Sequence, residues 1–352
     1  MVIYIFTIFL ILMAYPKLKK YKNMYCTFIG AWFSILILFR DYSVGIDTNV
    51  YMYRFVRFAE TEWRNLFALA DLYSFEYGFV ILNKLLGYVI LSSRWFVAIV
   101  SLFSIVVLCK RISEESSIPW LSFYIFVTCG LHANSLNLLR QFLAIILVFY
   151  SYRFVERKEV FKFIGIIVLA ATMHVSALCV LPVYWIVQVK FSKGIILAVL
   201  GVTSVISVAG NVIIYKLIVY TPYAHLIDAN VRGEGAVGLT VICIIFFIFI
   251  ILILGKRDNY KNKNMYIVIG LLAMIICGMT FVVSGIERIL PYFFIMLLII
   301  IPNTLHAISN KNIKKQYIMC ICILLFVYYI VVVCRADSGQ VIPYRFWSET
   351  YI

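Results

Sequence analysis

The sequence predicts an all-α, polytopic integral membrane fold, and three observations carry that prediction. Hydrophobic residues make up 64% of the 352 positions and charged residues only 13%, about half the charged share of an ordinary soluble chain. Mean hydropathy is +1.01, and apolar runs recur from one end of the chain to the other. The basic residues stand in short clusters between those runs, as cytoplasmic loops of membrane proteins carry them. A soluble fold of this length could not bury so much apolar surface, so residues 1–352 read as a single transmembrane domain with no separate soluble domain. The net charge of +15 invites a nucleic-acid reading, and its dispersal into loop clusters refuses it.

A helix needs about twenty apolar residues to cross a bilayer, fewer where flanking side chains snorkel. Met1–Tyr15 is a short first span, without the basic start and small-residue cleavage site of a removable signal peptide. The cleanest spans run near 24–39, 117–133, 134–151, 194–215, 237–255, 265–284, 288–306 and 317–334. Segment 162–189 contains His174 and Pro182 and reads as two short or broken helices. Segment 76–109 fits one net crossing plus a partial helix, because two crossings would put the basic residues after it on the wrong side. Nine cysteines lie in or beside apolar runs without a C-x-x-C pair, a pattern that suggests neither zinc nor a disulfide framework.

Placing the basic clusters 17–22, 110–111, 153–162, 190–193, 256–263 and 311–315 inside gives about twelve crossings with both termini outside. The outer face then receives loops 40–75 and 216–236, the 285–288 turn and the tail 335–352. On this topology the inner clusters hold 15 Lys and 4 Arg, and all other positions hold 10 Arg and 2 Lys. The inner excess is the ordinary topological signal. The arginine bias elsewhere needs another cause. Guanidinium is a planar, permanently charged fork suited to phosphate and carboxylate, so an anionic ligand at the outer face is expected.

The outer loop begins Arg40-Asp41-Tyr42-Ser43-Val44-Gly45-Ile46-Asp47-Thr48, with Asp47 or Thr48 suited to cap the helix that follows. Met52, Val56, Ala59, Trp63, Phe67 and Ala70 recur at steps of three and four, while Arg54, Arg57, Thr61 and Arg64 form a polar stripe. That pattern predicts one amphipathic helix within 40–75, lying in the interface plane. Such a helix either binds anionic headgroups or merely seals the bundle.

A charge at the centre of a membrane helix costs about 2.5–3.5 kcal/mol on insertion scales, so each needs a partner or a purpose. Arg140 and Gln141 open a helix at the outer boundary, His174 marks the break in 162–189, and Glu287 and Arg288 sit between two spans. Glu76 starts its helix at a similar depth. Arginine, histidine and carboxylate at one level predict a polar cavity opening outward. Each has a plainer reading: snorkelling for Arg140, packing for His174, a salt bridge for Glu287 and Arg288. His132, His225 and His306 are taken as structural.

Five short motifs, in order from about residue 30 to 300, resemble the EpsG family. They are Arg40-x4-Gly45-x-Asp47-Thr48-x2-Tyr51, Glu76-x-Gly78-Phe79, Asn137-x2-Arg140-Gln141-x2-Ala144, His174-x-Ser176-Ala177 and Glu287-Arg288-x3-Tyr292. That family is similar to the Wzy-type polymerases of bacterial exopolysaccharide, capsule and O-antigen. The resemblance implies a GT-C-like membrane glycosyltransferase in the bacterial cytoplasmic membrane, its active site facing outward. It would move a growing glycan from a polyprenyl (undecaprenyl) diphosphate carrier onto the sugar end of a lipid-linked repeat unit. His174, Asp47 and Glu287 are the candidate catalytic groups, with His174 and Asp47 competing as base. Arg40, Glu76, Asn137, Arg140, Gln141, Arg288 and Tyr292 are the candidate substrate-binding set. Arginines positioned on a leaving diphosphate stabilise the charge as it develops, so no metal or other cofactor is expected. Membrane lipids and a chain-length regulator or flippase are the expected partners. A membrane acyltransferase, a lipid-linked sugar flippase or exporter, and a glycan ligase are the competing readings. Inverted repeats and broken midplane helices would mark the transporter, and no repeat is evident.

Overall fold

The computed structural model describes residues 1–218, 237–257, 260–282, 285–337 and 339–347. Most of the expected outer loop 216–236, including His225, lies outside the described residues, as do residues 348–352 of the tail. The described residues are helical without any strand.

In chain order, α1 (Val2–Leu18) and α2 (Lys22–Leu38) lead to the 39–47 loop. Next come α3 (Thr48–Glu60) and α4 (Trp63–Tyr73), then α5 (Tyr77–Gly87) and the long α6 (Ser93–Glu115). Proline stands at the first turn of α7 (Pro119–Thr128), where its missing N–H costs nothing. Gly130, at φ +78, ends that helix ahead of α8 (Leu131–Asn137) and α9 (Leu139–Glu156). The chain continues as α10 (Val160–Met173), a 3₁₀ turn (Val175–Val180) and α11 (Val183–Ile186). Then follow α12 (Lys193–Ile218), α13 (Val237–Leu254), α14 (Lys263–Met279), a 3₁₀ turn (Ile286–Arg288), α15 (Leu290–Phe294) and α16 (Leu297–His306). The last elements are α17 (Lys311–Tyr328), a π turn (Tyr329–Val333) and α18 (Cys334–Ala336).

Among the described residues, four helical stretches are long and apolar enough to cross a membrane, namely Ser93–Glu115, Val237–Leu254, Ile286–His306 and Lys311–Ala336. Shorter apolar helices include α1, α2, α5, α7, α10 and α14. Segment 76–109 resolves into a partial helix and a full-length one, and segment 162–189 breaks at His174 and at Pro182. The single amphipathic helix expected within 40–75 is instead two. Thr61 takes an extended backbone, and its hydroxyl captures the Arg57 carbonyl at 2.6 Å, which stops α3. Its buried face is Tyr51, Phe55 and Phe58, whereas Val56, Trp63 and Phe67 of the expected stripe are exposed. Ring area outranks aliphatic spacing here: Phe55 stacks on Phe96 of α6 at 4.3 Å.

The helices form two compact units. The first comprises Met1–Leu181 with Ser309–Ile352. Within it α9 is buried on nearly every face and packs on α6 and α10, while α6 also packs on α2 and α3. Helices in a membrane associate through close packing more than through apolar transfer, so small residues matter at the contacts. A side chain at Gly78 of α5 would lie 2.4 Å from Thr172 of α10, and one at Gly87 would lie 2.6 Å from Ala59 of α3. At the end of α9 remote from Arg140, Arg153 pairs with Glu114, and Arg111 pairs with Glu115. The second unit, Pro182–Ile308, is built on α14, which packs against α12 and α13. There Asn303 Nδ2 donates to the Tyr266 hydroxyl at 3.0 Å, and the Tyr260 hydroxyl donates to the Asn303 carbonyl at 2.9 Å.

Candidate active site

Three helix ends meet at one end of the first unit: the start of α5, the start of α9 and the end of α10. Each is shaped by a local break. Ser74 adopts a left-handed conformation (φ 54°) that ends α4, and Phe75 turns into the core ahead of Glu76. Glu76 is extended and precedes the first turn of α5. His174 leaves the helical path at φ −158°, and the 3₁₀ turn begins on the next residue. The close approach at Gly78 and Thr172 then brings residues 76 and 174, two positions from each, side by side.

Glu76 is the hub. Its Oε2 accepts from Arg140 Nη1 at 2.6 Å, and its Oε1 accepts the Val175 N–H at 3.1 Å. His174 Nδ1 lies 2.9 Å from the same Oε1. Arg140 Nη1 also donates to the Ser74 carbonyl at 3.1 Å, and its guanidinium lies 4.1 Å above the Phe75 ring. The Tyr51 hydroxyl is close enough to feel the Arg140 charge. A cation in the first turn of a helix stands at the wrong end of the macrodipole, so Arg140 needs this carboxylate. Burial on its own would raise the Glu76 carboxyl. The His174 ring and the Arg140 charge outweigh it and hold the group at about 2. The side chains of Arg140, Glu76 and His174 are 21%, 16% and 13% exposed. They are mostly desolvated yet still reachable, the condition in which charge acts most strongly on a ligand.

A second cluster adjoins the first. Asp47 caps α3 by position, and its backbone N–H donates to Asn137 Oδ1 at 2.9 Å. Gly45 sits at φ +96°, and any side chain there would lie 2.7 Å from the Leu136 carbonyl. Arg40 is buried and donates to that carbonyl, so its guanidinium ties the loop to α8. Asp41 accepts from Ser43 N–H at 3.0 Å and from its hydroxyl at 2.7 Å, which closes the turn. Gln141 is buried on α9. Tyr51 feels both Asp47 and Arg140 and so joins the two clusters. Glu287 and Arg288 belong to the second unit, exposed on the 3₁₀ turn that Gly285 (φ +87°) opens, and Tyr292 is buried in that unit. The first unit thus gathers Asp47, Glu76, Asn137, Arg140 and His174.

The order and spacing of these groups can be compared with known families. The model of the EpsG family matches residues 23–346. The chain belongs to the EpsG family. No curated protein and no solved structure matches it. The EpsG match runs through both units and includes every residue of both clusters. Two contributors escaped the sequence reading, Ser74 and Phe75. An aromatic residue directly before the Glu76 motif is their only trace in the sequence, and it becomes informative once Arg140 lies over the ring.

Proposed function

We propose that this EpsG-family protein is a membrane glycosyltransferase that polymerises a polysaccharide from polyprenyl-diphosphate-linked repeat units. The observation that carries the reading is the Glu76 carboxylate holding a guanidinium and an imidazole at one helix junction, 2.6 Å and 2.9 Å away. An imidazole whose Nδ1 faces a carboxylate presents Nε2 as the proton acceptor, the relation that orients histidine in hydrolytic triads. A guanidinium has five donors, and the Glu76 and Ser74 contacts both use Nη1.

The reaction follows from those roles. The acceptor sugar hydroxyl attacks the anomeric carbon of the growing glycan and loses its proton to His174 Nε2. The bond from that carbon to the carrier oxygen breaks, and the electron pair leaves with the diphosphate. Arg140 stabilises the charge that develops there. Asp47 is the competing base. In this reading about twelve crossings form a GT-C-like bundle in the bacterial cytoplasmic membrane, with the site on the outer face. The glycan built there is of the exopolysaccharide, capsule or O-antigen kind, and a flippase delivers its lipid-linked units.

The test is chain growth of surface polysaccharide in a strain whose only copy is a variant. His174→Ala should lower polymer formation by about a hundredfold or more, the usual contribution of a general base. Arg140→Lys should fail comparably, since a point charge does not reproduce a forked contact. Normal polymer from His174→Ala alongside none from Asp47→Asn transfers the base to Asp47. Normal polymer from both His174→Ala and Arg140→Lys removes this site from the reaction.

A further inference from the structure

The loop that carries Asp47 has no helix of its own to satisfy its backbone, and buried amides need partners. The partners come from the far end of the chain. Residues 339–347 run antiparallel to residues 39–46. Asp41 N–H donates to the Arg345 carbonyl at 2.9 Å, Gly45 N–H to Gln340 at 3.1 Å and Ile46 N–H to Gly339 at 2.9 Å. In return Trp347 N–H donates to the Phe39 carbonyl at 2.8 Å. Side chains secure both edges of this segment. The Tyr344 hydroxyl donates to the Leu36 carbonyl at 2.5 Å, and the Tyr4 hydroxyl donates to the Val341 carbonyl at 2.7 Å. Arg94 lies 4.0 Å from the Trp347 ring centre and donates to the Leu38 carbonyl. Asp337 turns the chain back at the start, accepting from Val341 and Ile342 N–H.

The same segment touches the site. A side chain at Gly339 would lie 3.3 Å from Asn137 Cβ and 3.5 Å from its amide nitrogen. Asn137 in turn receives the Asp47 N–H. Strap, loop and Asn137 therefore form three adjoining layers, and α3 starts from the middle one. One turn along α3, Tyr51 meets Arg140.

We propose that residues 339–347 act as a positioning strap for the reaction assigned above. The strap fixes the start of α3, and through it Asp47 and the Tyr51 contact to Arg140. Gly339 and Tyr344 are its positioning residues. The inference rests on the polymerase reading for its effect on turnover, and on geometry alone for its effect on the loop.

Two measurements keep those apart. The first is amide hydrogen exchange on the full-length protein in detergent, comparing wild type with Gly339→Val, Tyr344→Phe and a chain ending at residue 338. Exchange at 41–47 and in the first turn of α3 should rise at least tenfold in each variant, while α6 keeps its protection. The second is surface polysaccharide in a strain carrying only the variant, which should fall at least fivefold. If the shortened chain does not fold, the two point variants carry the test. Wild-type protection at 41–47 in both point variants overturns the proposal. So does wild-type polymer from variants whose loop has become fast-exchanging. If the unaltered protein forms no polymer, the functional reading falls, and the strap is decided by exchange alone.

Discussion

At position 76 burial and charge oppose each other, and their sum decides how the site titrates. Burial raises the carboxyl, and His174 with Arg140 brings it down from 4.5 to about 2. A group depressed in the folded state stabilises it at every pH above the unfolded value and loses that contribution as pH falls through the folded one. The window is therefore from about 4.5 down to about 2. A displacement of that size corresponds to about 3 kcal/mol. Glu76→Gln should lower the melting temperature in detergent at pH 7 and flatten the loss that wild type shows below pH 4.5. It should also remove polymer formation, because Arg140 loses its counter-ion and His174 its orienting carboxylate. A variant with the wild-type acid profile would show that the carboxylate is not held by its neighbours.

The helices show what a sequence reading captures and where it stops. Pro182 and His174 inside an apolar run announced the break after α10, because proline cannot continue a helix and an ionisable residue resists the apolar phase. The α3 face departs from the expected stripe for a definite reason. Aliphatic and aromatic residues share the same period in that helix, and only the neighbouring ring of Phe96 selects Tyr51, Phe55 and Phe58. The Glu76–His174 pairing was legible as common depth, not as contact. What creates the contact is the absence of a side chain at Gly78, packed on Thr172. Gly78→Val must therefore separate α5 from α10. A side chain there would meet the Thr172 Cβ and Oγ1 at 2.4 Å and the Thr172 carbonyl oxygen at 2.8 Å, and overpacking of this kind costs about 1–3 kcal/mol. Polymer formation should fall by about tenfold or more, with Arg140→Lys adding little in the double variant, since both changes dismantle one junction. Independent, multiplying losses would show that α5 and α10 do not act through Glu76.

At the scale of the whole molecule the distribution of charge makes a topological prediction that no helix makes alone. Among the described residues, four helical stretches suffice by length and composition to cross a bilayer, and α9 carries arginine at both ends. The shorter apolar helices become crossings only if flanking lysines and tyrosines reach the interface, as short spans require. The lysine clusters at 17–22 and 256–263 are suited to that task and carry no carboxylate except Asp258. They should lie in the cytoplasm, with Asp47 on the opposite face, where a carrier diphosphate would meet Arg140. Asp47→Cys and Lys261→Cys, read against the labelling of the nine native cysteines, test this in intact cells. A membrane-impermeant maleimide should modify residue 47 directly and residue 261 only after permeabilisation. Equal modification of both before permeabilisation would put the basic clusters and the site loop on one side. Such an arrangement demands an even number of crossings between residues 47 and 261, and the assignment of the 256–263 lysine cluster to the cytoplasm would then fall.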